Sequence, residues 1–549
     1  MKNKILSLSA VLLVSALTVH GQTPYLSRVW NPDNGNGTYT NPVLYADYSD
    51  PDVVAVGEDY YLTASSFNEI PGLPILHSRD LVHWEIIGHA LQRQEPDSVY
   101  RYPQHGKGVW APSIRYHAGE YYIYWGDPDF GVMMVHAQNP AGPWSPPLCV
   151  LPGKGMIDTC PLWDDDGRCY LVNGWAGSRA GFNSVLTIRE LSADGTKVIG
   201  QPRIVFDGGN KNHTTEGPKL YKHDGWYWIL CPAGGVEHGW QLAMRSRNIY
   251  GPYEARTVMA QGTTPVNGPH QGGWVHTSQG EDWFLHFNDK QAYGRVVFLQ
   301  PMAWKRGWPV IGNDGDGDGC GEPYLTYRMP RSASRDKMNP VESDEFNSTS
   351  LGLQWQWEAN YNQLWGMPTA NGCLRLYTAD HPASEPNLWS CGNLLLQKLP
   401  APSFTATTKL RFAAKEEGEY GGVVMLGSDY QALVMKRVGK MFQLLQLSCK
   451  DADRGKAEQQ RQLAMLPPTD EDPIAYSPAL YLDIYLRMEV ADSKCRFSYS
   501  LDGRKFQAVG DTFVMRKGKW VGSKMGYVSE RYKTTGNRGW IDADWWRVL

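Results

Sequence analysis

One pattern recurs five times in the first 330 residues: a turn containing an acidic residue or glycine, then a strand-like run dense in aromatics. It reads GEDYYLTAS, AGEYYIYWG, DGRCYLVNG, DGWYWILCP and GEDWFLHFN, at intervals of roughly 50 to 60 residues. After most of these comes a second strand and a turn, as in ILHSRDLVHW, VMMVHAQNPAGPW and LAMRSRNIYGPYE. Self-similarity at such a period means one supersecondary unit per repeat, stacked so that neighbours bury each other's apolar faces. Helical periodicity is scarce and turn residues punctuate every run, so each unit reads as a four-stranded propeller blade. The chain is therefore expected to be all-β, with residues 23–330 forming a five-bladed β-propeller. Hairpins stacked into an open sandwich are the alternative.

Beyond about Pro330 the character changes. The stretch MPRSASRDKMNPVESDEFN is polar, carries both charge signs and two prolines, and reads as a linker over 331–341. Alternating runs such as CLRLYTA, TTKLRFAAK, MFQLLQLS and LYLDIYLRMEV follow, so residues 342–549 are expected to form an antiparallel β-sandwich. At the other end, Lys2 and Lys4 precede an apolar run from Ile5 to Val19, and Gly21-Gln22 offers a small-residue cleavage point. Residues 1–22 read as a signal peptide, which makes the mature chain secreted or periplasmic. The run is shorter than the roughly 20 apolar residues of a membrane span, and no insertion of the mature chain is expected.

Nine cysteines are scattered from Cys149 to Cys495 with no CxxC pair. Mostly free, buried thiols are expected, with room for one bridge. A formal net charge of -4 carries no basic signature, so nucleic acid is not an expected partner. The aromatic balance is unusual, with 22 Trp and 30 Tyr against 14 Phe. Trp and Tyr join a flat apolar face to a polar edge, which suits stacking on sugar rings. β-Rich chains are aromatic-rich in any case.

A propeller presents ligands over its central channel, which the first strand of every blade lines. Roughly ten to thirteen residues before each aromatic strand, the repeat register places one residue per blade at that channel. Those residues are Asp50 in YSDPDVV, Trp110 in GVWAPSI, Asp158 in GMIDTCP, Glu216 in TTEGPKL and His270 in GPHQGGW. Inward-facing carboxylates are costly unless paired, hydrogen-bonded or used. A glycosidase uses them, one acid protonating the leaving oxygen and one base activating water. A third acid nearby raises the pKa of the general acid by charge repulsion. Each motif alone reads equally well as a turn or bulge; the shared register favours a site.

NPVLYADYSDPDVV, DDDGRCYLV after Asp158, TEGPKLYKHDGWYWIL and GRVVFLQPMAWKRGWPVIG together resemble glycoside hydrolase family 43 across the whole propeller. The C-terminal region resembles the concanavalin-like jelly-roll sandwich of that family's two-domain β-xylosidases and α-L-arabinofuranosidases. The resemblance implies Asp50 as general base, Asp52 as structural, Glu216 as general acid and Asp158 as the pKa-modulating, orienting acid. It implies that Arg295 hydrogen-bonds the bound sugar and that Phe67 and Trp110 wall the terminal-sugar pocket. It also implies that His270 touches a calcium ion through water. Beside these stand plainer readings: Phe67 and Trp110 as core aromatics, Arg295 as a salt-bridge anchor, His270 as a satisfied buried histidine. The run NDGDGDGCGEP, Asn313 to Pro323, alternates acid and glycine like a calcium loop. Glu322 is not where such a loop places its bidentate acid, so a polar turn is expected.

The implied activity is inverting, exo-acting release of terminal α-L-arabinofuranosyl or β-D-xylosyl residues, or both, from plant polysaccharides or oligosaccharides. No cofactor is required for the chemistry, although the resemblance allows a structural Ca2+. Inversion implies about 6.5–9.5 Å between the carboxyl groups of base and acid. The alternatives are a non-catalytic carbohydrate-binding propeller, or a propeller glycosidase of different sugar specificity such as a retaining, sialidase-like enzyme with a Tyr nucleophile.

Overall fold

The computed structural model describes residues 25–332, 335–381, 384–471, 479–532 and 536–549; the expected signal peptide, 1–22, lies outside the described residues. Five four-stranded antiparallel sheets follow one another along the chain. Blade 1 comprises Asp52–Val56, Asp59–Thr63, Gly72–Ser78 and Glu85–Leu91; blade 2 comprises Trp110–His117, Glu120–Asp127, Gly131–Ala137 and Leu148–Pro152. Blade 3 comprises Met156–Trp163, Cys169–Trp175, Val185–Leu191 and Arg203–Asp207. Blade 4 comprises Lys219–His223, Trp226–Ala233, Trp240–Ser246 and Glu254–Met259, and blade 5 His270–His276, Asp282–Asp289, Arg295–Lys305 and Trp308–Ile311. In every blade the aromatic run is the second strand, paired on both edges.

That placement explains the composition. A blade is apolar on both faces, and each seam between blades has its own core. Ile75, Ile114 and Tyr121 fill the seam of blades 1 and 2, and Tyr124, Val132 and Leu171 the next. Val172, Ile188 and Ile229 join blades 3 and 4, and Trp228, Phe284 and Trp308 join blades 4 and 5. Leu62, Trp84, Trp283 and Leu285 close the ring. Each such side chain contributes about 1.5–3 kcal/mol by leaving water.

Closure borrows no strand from another blade. The N-terminal segment instead straps blade 5 to blade 1. Leu44 bridges Val297, Asn41 donates to the Leu299 carbonyl and accepts its N–H, and the Tyr39 hydroxyl reaches the same carbonyl. The described residues of the segment read as a linker, 331–332 and 335–341, lie in extended coil. Arg331 bonds Glu281 through its backbone and its guanidinium, and Asn339 pairs with Tyr25 and Ser27.

The C-terminal region is a two-sheet sandwich. Phe404–Ala414 and Leu480–Ala491 alternate buried and part-exposed residues, the signature of a sheet with one face in the core. The facing sheet differs: every residue of Tyr420–Leu426 and Lys524–Arg531 is buried. Its outer face is covered by the segment around Leu388, Cys391 and Leu394. Pairing is antiparallel except where Ala379–Asp380 runs parallel to Lys524–Arg531. All nine cysteines are free. Among the described residues no helix is long and apolar enough to cross a membrane.

Candidate active site

The five inner strands begin alike. A left-handed residue stands at the head of each: Asp50 (φ 53°), Ala111 (37°), Asp158 (57°), Gly217 (60°) and Gln271 (40°). In blades 2, 3 and 5 the ladder also slips there, at Trp110/Ser113, Ile157/Cys160 and His270/Gly272. Such a bulge re-aims a side chain off the sheet, here toward the channel mouth. Only Gly217 adopts this conformation without penalty; each other residue costs on the order of 1–2 kcal/mol. The repeat register is refined by one residue. Asp50 and Asp158 are themselves left-handed, whereas Trp110, Glu216 and His270 immediately precede the left-handed residue.

Asp50 is buried and acts as an acceptor on both oxygens. Ser65 Oγ donates to Oδ2 at 2.6 Å and Arg295 Nη1 to Oδ1 at 3.0 Å. Ser65 Oγ in turn accepts the Ala111 N–H at 2.8 Å, which commits its proton to Asp50. An accepting carboxylate is what a general base must be. Asp158 is buried too, with Oδ2 accepting the Gly217 N–H at 2.7 Å. Burial, then the charges of Glu216 and Asp50, push its carboxyl well above the usual range. Glu216 is more open, its side chain 29% exposed, with Oε1 at 3.1 Å from His270 Nε2. Neighbouring carboxyls of this kind do not all ionise together, and Asp158 is the one whose surroundings favour keeping its proton. Asp52 differs from all three. Its Oδ2 accepts from Ile114 N–H at 2.9 Å and Arg115 Nη1 at 2.6 Å, and Lys219 Nζ lies at 3.9 Å. It ties blades 1, 2 and 4 together.

The three acids open into a cavity of about 190 Å3 whose walls include Phe67, Trp110, Arg295 and Trp520. Trp520 comes from the sandwich, on the turn between Gln507–Val514 and Lys524–Arg531. Its ring meets Trp110 edge-on at 6.3 Å. The Arg295 guanidinium lies against Phe287 at 4.8 Å and Trp520 at 5.7 Å, which holds its fork on Asp50. One buried carboxylate joins the two domains here: Asp47 accepts the Arg295 N–H at 2.8 Å and the Gly522 N–H at 2.7 Å. Arg179 packs over Trp110 at 5.5 Å, anchored by Asp129.

Residues 39–309 match the profile of Glycosyl hydrolases family 43, and residues 343–549 that of the Beta xylosidase C-terminal Concanavalin A-like domain. A putative beta-xylosidase of Xylanibacter ruminicola is 36% identical, over 90% of this chain and 86% of its own length. The chain belongs to glycosyl hydrolase family 43. A non-reducing end alpha-L-arabinofuranosidase of Bacteroides ovatus is 31% identical over 75% of this chain and 79% of its own. Among solved structures, a xylan beta-1,4-xylosidase from Bacillus halodurans superposes with a TM-score of 0.79 at 25% identity, covering 93% of this chain and 99% of its own. The GH43 BlXynB protein of Bacillus licheniformis gives 0.77 at 26% identity with the same coverage. The propeller, the concanavalin-like sandwich and the glycoside hydrolase class expected from the sequence are what this family 43 chain has.

Six of the seven residues singled out in the sequence, Asp50, Phe67, Trp110, Asp158, Glu216 and Arg295, face the one cavity. His270 stands behind Glu216, fully buried, its Nδ1 without a hydrogen-bond partner. Ca2+ takes six to eight oxygen ligands. Among the described residues, no group of three His, Cys, Asp or Glu ligand atoms includes His270. In the Asn313–Pro323 turn, Asp314, Asp316 and Asp318 lie together. Asp314 is already paired with Lys305 Nζ at 2.7 Å, and Glu322 turns away to Thr263. Sequence reasoning missed Trp520 and Ser65. The signal for Trp520 was an indole in a polar loop, in RKGKWVG.

Proposed function

We propose that this family 43 enzyme removes single terminal α-L-arabinofuranosyl or β-D-xylosyl residues from plant glycans, with inversion at the anomeric carbon. Asp50 takes a proton from water as that water attacks, and Glu216 protonates the departing oxygen. Asp158 orients Glu216 through the Gly217 backbone. Arg295 positions Asp50 and presents its remaining N–H groups to the sugar, while Phe67, Trp110 and Trp520 supply flat walls. The observation that carries this reading is the meeting of three carboxyls in one cavity of about 190 Å3. That volume equals about six waters of liquid, the scale of one sugar ring, and favours an end-on pocket over a cleft for a passing chain. The names of the relatives, beta-xylosidase and non-reducing end alpha-L-arabinofuranosidase, support both sugars. The chemistry needs proton transfers alone, and no step is assigned to calcium. The basic, then apolar, N-terminus supports export, with residues 1–22 removed and a mature chain beginning at Thr23.

The test is Glu216→Gln assayed on two leaving groups. Hydrolysis of a natural arabinoside or xyloside, whose leaving alkoxide must be protonated, should fall about 10²–10⁴-fold. Hydrolysis of a dinitrophenyl glycoside, whose leaving group needs no proton, should fall far less. Equal losses on both would remove Glu216 from the acid role, and wild-type sugar binding without turnover in the unmodified enzyme would favour a binding module.

A further inference from the structure

Outside the propeller, the outer face of the sandwich carries a second cluster of reactive side chains that the hydrolysis does not use. Glu530 lies on the strand Lys524–Arg531, directly across the ladder from Tyr420. Cys391 and His381 come from the segment that covers this face. All three are more than nine-tenths buried: Glu530 0%, Cys391 2% and His381 5% exposed. His381 Nδ1 lies 3.5 Å from Glu530 Oε2 and 3.5 Å from Cys391 Sγ. Neither Glu530 oxygen has a hydrogen-bond partner, nor has the Tyr420 hydroxyl.

The imidazole tautomer decides what this arrangement can hold. His381 Nε2 lies 3.1 Å from the Glu385 carbonyl, which can only accept, so Nε2 carries the hydrogen. Nδ1 is then the ring nitrogen aimed into the cluster, free to bind once it gives up any proton it holds toward Glu530. The Nδ1 edge of the ring, a carboxylate and a sulfur thus face one another. We infer that His381, Cys391 and Glu530 form a binding site for a zinc-like divalent cation, separate from the glycosidase centre. Three observations support it. The side-chain types are those zinc selects, and bonds of about 2.0–2.3 Å in a tetrahedron set ligand atoms about 3.3–3.7 Å apart, as His381 Nδ1 and its two neighbours are. A carbonyl-anchored Nε2–H is the usual outer support of a metal-binding histidine. Binding also balances charge: Zn2+ displaces to solvent the Cys391 thiol proton and any proton held between His381 Nδ1 and Glu530, leaving a neutral imidazole, a thiolate and a carboxylate to neutralise it. The Tyr420 hydroxyl or a water fills the fourth position.

Cys391 also lines a groove of about 790 Å3 between propeller and sandwich, which provides an entry path. The site is structural in consequence. The covering segment carries Trp389, whose ring stacks on His105 of the propeller at 3.8 Å and whose carbonyl accepts from it at 2.6 Å. A cation would pin that segment to the sheet.

The experiment titrates Co2+ and then Zn2+, each alone, into the full chain after chelator treatment. One equivalent of Co2+ should give thiolate-to-cobalt absorption and tetrahedral visible bands, which Zn2+ should bleach while raising Tm. Cys391→Ser should abolish the thiolate band, and His381→Gln and Glu530→Gln should weaken binding about tenfold or more. Glycosidase kcat should stay unchanged throughout, reporting an intact fold. Absence of the bands in the unmodified chain would overturn the inference. So would bands retained in Cys391→Ser, which would place the cation at another thiol such as Cys149 or Cys320. Should Cys391→Ser lose activity and so prove misfolded, His381→Gln decides: unchanged affinity there leaves only a His381–Glu530 ion pair.

Discussion

The sandwich reaches the active site through one side chain, Trp520, so Trp520→Ala measures what the second domain contributes. Trp520 leaves 43% of its surface open. An indole of this kind carries roughly 150–250 Å2, so on the order of 100 Å2 remains for a sugar. A sugar face covering half to two-thirds of that removes about 60 Å2 from water, worth about 1.5 kcal/mol at about 25 cal/mol per Å2. That is a factor of about ten in binding. In the free enzyme the loss is of similar size. The edge contact with Trp110 and the cation–π contact with Arg295 each contribute about 0.5–1.5 kcal/mol. Arg295 keeps Phe287 and its bond to Asp50, so the base stays in place. Steady-state kinetics on aryl arabinofuranoside and xylopyranoside, with Tm from calorimetry, should show KM raised about tenfold. The same data should show kcat within a few-fold of the unmodified enzyme and Tm lower by a few degrees. An unchanged KM would refute the placement of Trp520 against the sugar.

Three further outcomes follow from the charges. Asp158→Asn replaces the carboxyl oxygen that accepts the Gly217 N–H beside Glu216, so kcat should drop while KM changes little. Because Asp158 is held well above the usual carboxylate range by burial and by Glu216 and Asp50, its ionised form costs stability as pH rises. The Asn variant should therefore gain Tm relative to the parent progressively as pH rises above the ordinary carboxylate range, about 4, which a thermal scan against pH would show. At the domain junction, burial opposes ionisation of Glu69, but Lys398 and Lys524 prevail and hold its carboxyl at about 2. A depressed acid stabilises above its unfolded value and loses that contribution as pH falls through the folded one. Glu69→Gln should cost on the order of 3 kcal/mol at pH 7, and denaturation midpoints should show the gap closing between pH 4.5 and 2. Exhaustive chelation should leave kcat on aryl glycosides unchanged, since every step is a proton transfer between side chains and water.

Much of this was legible because it rests on local, repeated sequence. The aromatic runs are second strands whose seams need bulky apolar residues, so their period alone revealed a closed ring. Asp50, Asp158 and Glu216 stood out because a repeat makes positions comparable, and only the one-residue offset of the bulge needed coordinates. Trp520 was invisible for the opposite reason. It is far from Trp110 in sequence, belongs to no repeat, and acquires its meaning only when Gly522 docks on Asp47. Arg295 lines the cavity, but its bond to Asp50 joins the first and last blades, a contact no local pattern encodes. The cluster of His381, Cys391 and Glu530 likewise spans about 150 residues and shows no metal-ligand spacing along the chain.

The central claim is that Asp50 and Glu216 hydrolyse a terminal glycoside from opposite faces of the sugar. Proton NMR of the first-formed product from an aryl xylopyranoside, recorded before mutarotation, tests it most directly. Release of the anomer opposite to that of the substrate, abolished in Asp50→Asn, is the predicted result. Release of the same anomer would mean a covalent intermediate, and would contradict the assignment of Asp50 as the base that activates water.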